Sequence, residues 1–441
     1  MVRADQDLHA QTDRVAALDV AELNPELAGP VGLMQTKLGE ASALSTKAAK
    51  AVQLLPSMLG AHGKRSYLVL FQNNAEIRST GGIPGAFAVL TAKNGRLEMT
   101  QQGDAAGALG HFDEPALPLT AEERALFTDR LGTYPQDVNF TPDFPRTAEL
   151  ATAMWEARNP GRRLDGVASA DPVALSYLLR GTGPIPLVAG QQLTADNAVQ
   201  LLLNQIYLVE EDPSVQNGYF AGAARKVFDA LAAGQGDAAG VLGGLSQAGS
   251  ERRLLVWSRH EQEQRLLDDT RLGGALPVQP DASPFVGVYL NDGTAAKMQY
   301  YLDHDVTVKP VSCNPEQRQE LRVTLTLTSN APENAAELPT YLRGAGASVE
   351  PGHMRVSTYL YAPTEGWIDA SAVDGEERPL AEYEHLGHDV GYRTVDIAPG
   401  ERRRLTFTVM GGTDQPGPVD LRVTPGVHDT GIEQIRPSAC S

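Results

Sequence analysis

Apolar positions in the first sixty residues recur at helical spacing. Val15, Leu18, Val20 and Leu23 form one set, and Leu38, Ala41, Leu44, Ala48, Val52 and Leu55 form another, the period of an amphipathic helix. Pro25 and Pro30 interrupt the pattern, and Pro56, Gly60 and Gly63 close it. Two helices are therefore expected over 1–60, broken near the first two prolines. They read either as a helical stalk between an anchor and a globular head or as helices packed on the main domain. At Tyr67 the pattern becomes a continuous run, Tyr67-Leu68-Val69-Leu70-Phe71, which predicts a strand buried on both faces. The runs at 86–91 and 96–100 flank the turn dipeptide Asn94-Gly95 and predict a hairpin.

Helical periods at 121–131, 144–158, 172–179, 195–203 and 219–232 then accompany a short strand at 166–169, and a strand at 285–289 and a helix at 295–302 close the series. Alternation of this kind predicts a layered α/β domain over 61–310. From Cys313 onward the period is two, at 321–327, 354–361, 394–397 and 405–410. That pattern predicts a β-sandwich of immunoglobulin-like shape over 311–441.

Charge and cysteine usage narrow the function. The 441 residues carry 37 Lys+Arg against 55 Asp+Glu, a formal net charge of −18, which argues against a basic nucleic-acid module. No stretch reaches the ~18 apolar residues of a membrane span, and the first thirty residues lack the apolar centre of a signal peptide. The chain reads as the outer part of an envelope protein whose membrane anchor lies outside it. Its two cysteines, Cys313 and Cys440, bracket the last third. One disulfide there fits an oxidising, extracytoplasmic setting and restricts a long loop by roughly 4–5 kcal/mol in the chain-entropy model. Two free thiols in a cytosolic protein are the alternative.

The densest polar cluster is FQNNAEIRSTGGIPG, residues 71–85. Following a buried strand, it is expected to be a tight loop at the carboxyl edge of a sheet, where α/β ligand sites lie. Gly81 and Gly82 offer backbone N–H groups to an anionic oxygen, Arg78 offers a forked contact, and Asn73, Asn74 and Thr80 supply neutral hydrogen bonds. Glu76 serves as an acid or base, or holds Arg78. The alternative is a loop whose polar groups satisfy one another. No Walker lysine follows, so nucleotide binding is disfavoured. In a second cluster, Asn139, Asp143 and Arg146 face the first loop across one cleft, or Asp143 or Thr141 serves simply as an N-cap. Lys297, one turn after Asn291-Asp292-Gly293-Thr294, either reaches an anion at a helix start or is an exposed lysine. His385 and His388, beside Glu384 and Asp389, either bind a metal or, in a loop without cysteine support, are structural, and there is no G-x-S-x-G elbow.

The segments FQNNAEIRSTGG, NFTPDFPRTAEL, LDGVASADPVALSYLLRGTGPI and LTADNAVQLLL closely resemble a bacterial family of exported proteins known only as a domain of unknown function. In element order the chain is similar to the LytR-CpsA-Psr family, which transfers glycopolymers from a polyprenyl-pyrophosphate carrier to peptidoglycan. Arg78-Ser79-Thr80-Gly81 and Gly103-Asp104 stand where that family has its Arg-Ser/Thr-Asp-Thr and Arg-Asp segments. The later pyrophosphate-gripping arginines are replaced by Glu210-Glu211-Asp212, with Arg225-Lys226 keeping positive charge on the next helix. The resemblance implies a LytR-CpsA-Psr-like α/β domain and a cell-wall glycan or polyprenyl-linked precursor as partner. If the phosphotransferase reaction operates, Arg78, Arg146 and Arg225 would neutralise the diphosphate and Asp104 or Asp143 would hold a divalent metal such as Mg2+. The alternatives are a non-catalytic glycan-binding or scaffold module, and a glycoside hydrolase using a carboxylate pair such as Glu76 and Asp143.

Overall fold

The computed structural model describes residues 1–187, 190–268, 270–346, 348–428 and 438–440. It is a mixed α/β structure, 38% helix and 30% strand. Two compact units are distinguished, residues 1–65 with 91–98, and residues 66–90 with 99–441.

In the first unit α1 (Val2–Ala16) and α2 (Pro25–Met58) pair antiparallel, joined by Asp5 to Thr46, His9 to Ser42 and Gln35 to the Val15 carbonyl. The break falls before Pro25, where the Asn24 side chain accepts from the Glu26 N–H and proline occupies the first helical position, which needs no donor. Contrary to the sequence expectation, α2 runs through Pro30 and Pro56. Each proline removes one intrahelical bond without ending the helix. The tip of the β-hairpin lies in this unit. Asn94 and Gly95 have φ of 53° and 78°, the left-handed pair of a type I′ turn, and their N–H groups donate to the Gly60 and Leu59 carbonyls.

The second unit is built on a sheet of order β3-β2-β1-β4-β7. Its strands are β1 (Arg65–Arg78), β2 (Gly81–Lys93), β3 (Arg96–Asp104), β4 (Gly166–Ala170) and β7 (Leu254–Ser258). β5 (Ile185–Pro186) and β6 (Gln192–Leu193) form a separate two-stranded ladder. β1 runs parallel to β4, and β4 antiparallel to β7. The helices between them are α3 (Ala105–Leu109), α4 (Ala121–Phe127), α5 (Arg130–Thr133), α6 (Phe144–Arg158) and α7 (Pro172–Thr182). Next, α8 (Ala198–Gln200) passes through a π turn at Leu201–Gln205 into α9 (Ile206–Val209), before α10 (Pro213–Ala232), α11 (Ala238–Ser250) and α12 (Glu261–Asp268). The helix expected over 121–131 is divided at Thr128, whose φ is 62°.

Leu68 and Leu70 point into a core with Phe144, Leu150 and Trp155 of α6, while Val69 packs on the opposite side with Met99, Phe71 and Phe228 of α10. The apolar run of β1 is thus covered on both faces, as its composition requires. The polar stretch 72–80 is not a loop. β1 continues to Arg78 and β2 begins at Gly81, so only Ser79 and Thr80 turn the chain. Gly82 permits the return, because a Cβ there would lie 2.2 Å from the Asn73 backbone.

The remaining strands form two five-stranded sheets. They are β8 (Phe285–Asp292), β9 (Leu302–Cys313), β10 (Gln319–Ser329), β11 (Met354–Tyr361), β12 (Trp367–Val373), β13 (Glu376–Glu377), β14 (Ala381–His385), β15 (His388–Ile397), β16 (Arg402–Met410) and β17 (Asp420–Val423). One sheet has order β13-β12-β16-β10-β9, the other β14-β15-β11-β8-β17. A one-turn helix, α13 (Thr340–Arg343), lies between β10 and β11. β8, read from sequence as the last strand of the α/β domain, instead pairs with β11 and β17. Its alternation accounts for this placement. Val286, Val288 and Leu290 enter the core between the two sheets with Val323, Leu325 and Phe407, whereas Phe285 and Tyr289 enter the α/β core. The helix expected at 295–302 is a 3-10 turn, Met298–Tyr301, after which β9 starts. A disulfide joins Cys313 to Cys440 across 127 residues of sequence. Among the described residues no helix is long and apolar enough to cross a membrane.

Candidate functional site

The far ends of β1 and β8 bring five ionisable side chains together under the surface. Arg78, 5% exposed, donates to Glu76 at 3.2 Å and to Asp137 at 3.3 Å. Lys297 takes the other Glu76 oxygen at 2.8 Å. Asp292, at the end of β8, adds its field to both Glu76 and Arg78. At the rim Arg130, with a side chain 60% exposed, reaches Asp137 at 2.8 Å. The Phe140 ring lies 5.0 Å from the Arg78 guanidinium carbon, and Lys297 faces the Tyr341 ring at 5.1 Å. Asn291 locks the turn of the β-hairpin to β8. Its side chain accepts from the Ser79 N–H at 2.9 Å and donates to the Phe140 carbonyl at 3.1 Å.

The electrostatics of the carboxylates diverge. Burial would raise the pKa of Glu76, but Lys297 and Arg78 outweigh it and hold the carboxyl below its ordinary range. Asp292 is pushed up to about 6, first by burial and then by the charge of Glu76, with Arg78 offsetting only part of this. One Asp292 oxygen accepts from Thr294 at 2.7 Å and Gln299 at 2.5 Å, while the other, Oδ2, is buried without a partner. Nε of Arg78 is likewise buried and unpartnered. An unsatisfied buried donor or acceptor costs about 1–3 kcal/mol, and both residues are among those lining one hollow.

That hollow is a half-open cavity of about 510 Å³, with Arg78, Asn291, Asp292, Phe140, Tyr359 and Tyr392 among its walls and Arg130 and Arg343 also lining it. Its size falls in the range of small-ligand sites. Asp292 is the one carboxylate among its described lining residues.

Asp292 yields a prediction of its own. Its folded-state pKa lies above the unfolded value, so its contribution is fully present below about pH 4 and is lost as pH rises through about 6. Asp292→Asn, which keeps the acceptor for Thr294 and Gln299, is expected to gain about 2–3 kcal/mol over wild type at pH 8 relative to pH 4. Urea unfolding of both proteins between these pH values measures the difference; identical pH slopes would refute the assignment.

The other residues singled out by sequence have different surroundings. Asn73 donates to the Tyr207 hydroxyl and accepts from the Ala75 N–H, and Asn74 donates to Asp171 and the Pro425 carbonyl. Thr80 accepts from both Gln72 and Asn139, and Asn139 also donates to the Gly82 carbonyl. These side chains brace the β-hairpin rather than line the cavity. The Gly82 N–H is spent on Gln72. Gly81, with φ of 139°, supports the tight turn.

Asp143 does not face the first cluster. It caps α6, one oxygen accepting from the Arg146 N–H and the other from the Leu276 N–H, and burial pushes its pKa up to about 6. Arg146 pairs with Glu123 and Glu149. Asp104 caps α3 and accepts from Asn217, and Arg225 pairs with Asp229 on α10. Asp104, Asp143, Arg146 and Arg225 are absent from the cavity lining, and Lys297 is a buried partner of Glu76 rather than an exposed lysine. His385 accepts or donates at the Tyr361 hydroxyl, and His388 is held between the Ala362 and Pro277 carbonyls. Among the described residues no group of three or more His, Cys, Asp or Glu side chains is arranged to hold a metal. Sequence reasoning had Asp292 within a candidate segment but gave it no role, and it passed over Arg130, Arg343 and Tyr359. Only their convergence from α5, α13 and β11 makes them neighbours.

A second cavity, about 130 Å³ and almost wholly apolar, lies between the sheet and helices α7, α10 and α11. Val69, Phe71, Leu178, Phe220 and Phe228 line it, with Asp171 as its one charged wall residue among those described.

Residues 62–207 match the model of a family described as a protein of unknown function, DUF4012. No curated protein matches the chain. Among solved structures, the transcriptional regulator yvhJ from Bacillus subtilis is 10% identical over 48% of this chain and 77% of that one, with a TM-score of 0.25. A likeness that distant carries no argument here.

Proposed function

We propose that the chain is an extracytoplasmic cell-envelope protein that binds an envelope glycan in the cavity beside Arg78 and Asp292. The observation that carries this reading is that Arg78 and Asp292, each holding one buried polar atom without a partner, line one cavity with Phe140, Tyr359 and Tyr392. A sugar hydroxyl both donates and accepts, and the apolar face of a pyranose stacks on aromatic rings. The charge state supports a neutral sugar unit over a bare diphosphate, because Arg78 is already matched by Glu76 and Asp137. The disulfide supports the compartment. A hydrolase working with two carboxylates is not proposed, since Asp292 stands alone on the described wall.

A second reading, transfer of a glycopolymer from a polyprenyl carrier on a LytR-CpsA-Psr-like scaffold, draws on the apolar cavity beneath α7 and α10, whose lining suits an isoprenoid chain. It has less support in charge, because Arg146 and Arg225 are paired elsewhere. Calorimetric titration separates the two. Purified cell-wall oligosaccharides are expected to bind, with affinity at least tenfold lower for Asp292→Ala, and farnesyl diphosphate is expected not to bind with or without Mg2+. Diphosphate binding without saccharide binding would reverse the order of the two readings.

A further inference from the structure

A second, wider groove continues from the cavity across the face of the β-domain. It measures about 780 Å³ and shares Gly293, Ser357 and Tyr392 with the first. Four guanidinium groups line it, Arg355 from β11, Arg378, Arg393 from β15 and Arg403 from β16, against the single carboxylate of Asp396. Carboxylates pair with three of these four cations, Asp396 within the lining and Glu376, Asp374 and Glu401 beside it.

The four are not equivalent. Arg355 is held by both oxygens of Asp396 at 2.7 and 2.8 Å, Arg378 pairs with Glu376, and Arg403 pairs with Asp374. Arg393 has no carboxylate partner among the described residues. It donates to the Pro379 carbonyl, and its Nε is buried with no acceptor. A half-buried guanidinium without a counter-charge, on the wall of a groove, is a ready place for an external oxyanion, and its planar fork suits carboxylate or phosphate.

From the continuity of the two hollows and the uncompensated Arg393, we propose that the bound polymer is an anionic polysaccharide, one sugar unit seated beside Asp292 and the carboxylate or phosphate of a following unit held by Arg393 in the arginine-lined groove. The proposal rests on the glycan reading above and adds the charge class and the direction of the chain. Tyr392, common to both hollows, would be the wall along which the polymer passes from one to the other.

The test compares two forms of one probe, an oligogalacturonate and its fully methyl-esterified counterpart, by calorimetry against wild type, Arg393→Met and Arg393→Lys, with inorganic phosphate and a single-stranded oligonucleotide as further ligands. The acid form is expected to bind at least tenfold more tightly than the ester, with affinity falling as salt is raised. Arg393→Met, unchanged in melting temperature, is expected to lose about tenfold toward the acid form and nothing toward the ester, and Arg393→Lys to recover part of the loss. Equal binding of acid and ester, or an unaffected Arg393→Met, would overturn this proposal while leaving glycan binding standing. Binding of neither form would overturn both. Preference for the oligonucleotide, or phosphate binding as tight as that of the oligosaccharide, would also overturn it, since neither requires a sugar polymer.

Discussion

Replacement of Glu76 by glutamine is expected to lower the unfolding free energy by about 3–5 kcal/mol, the usual consequence of breaking a buried ion pair on one side only. Glu76 accepts Arg78 on one oxygen and Lys297 on the other, and all three are less than a tenth exposed. Without its charge two buried cations face only Asp137 and Asp292, and an amide nitrogen is turned toward one of them. The neighbours should respond as well. Lys297, held above its ordinary pKa chiefly because Glu76 outweighs the effect of burial, loses that support, and Asp292 loses a repulsion that helps keep its proton. Urea unfolding at pH 7 measures the loss, and a change below about 1 kcal/mol would show that the cluster is not the buried network described above.

Removing the disulfide has an effect of similar size by a different route. Cys313 and Cys440 are separated by 127 residues, and closing a loop of that length restricts the unfolded chain by about 4–5 kcal/mol in the chain-entropy model. The double variant Cys313→Ser/Cys440→Ser is expected to lose that amount, and wild type in reductant to follow it. Because β9 ends at Cys313, the folded sheets should keep their secondary structure below the transition. A loss of less than 1 kcal/mol, measured by denaturant unfolding with and without reductant, would contradict the entropic account.

Much of the scaffold was legible because its signals are local. The run 67–71 reports burial on both faces by having no polar alternate, Asn94-Gly95 marks a hairpin turn, and Pro25 marks the break between the first two helices. The departures have a common cause in pairing over long sequence distances. The stretch 72–80 reads as a loop because its residues are polar, yet it is strand. Asn73, Asn74, Arg78 and Ser79 bond to Tyr207, Asp171, Asp137 and Asn291, none of which is near in sequence. β8 was assigned to the wrong layer for a related reason. Period two states that a strand has two different faces but not which sheet it joins, and here the two faces enter two different cores.

The site was legible in part. Arg78 and Glu76 were recognisable as a charged pair two residues apart, in a segment expected to be a loop that is instead strand, and Asp143 was recognisable as a cap. Its placement as a catalytic or metal-holding group across a cleft was not supported, because both of its oxygens are committed to backbone N–H groups. Asp292 gains its importance from what it lacks, a partner for Oδ2, and no sequence pattern reports an absent partner.

The central claim is that the hollow bordered by Arg78 and Asp292 receives a sugar unit. A crystal structure of the chain with a cell-wall oligosaccharide tests it most directly. The account predicts a pyranose against Tyr359 or Phe140 with hydroxyls on the Arg78 and Asp292 side chains. A saccharide seated elsewhere, with those two side chains free of it, would contradict it.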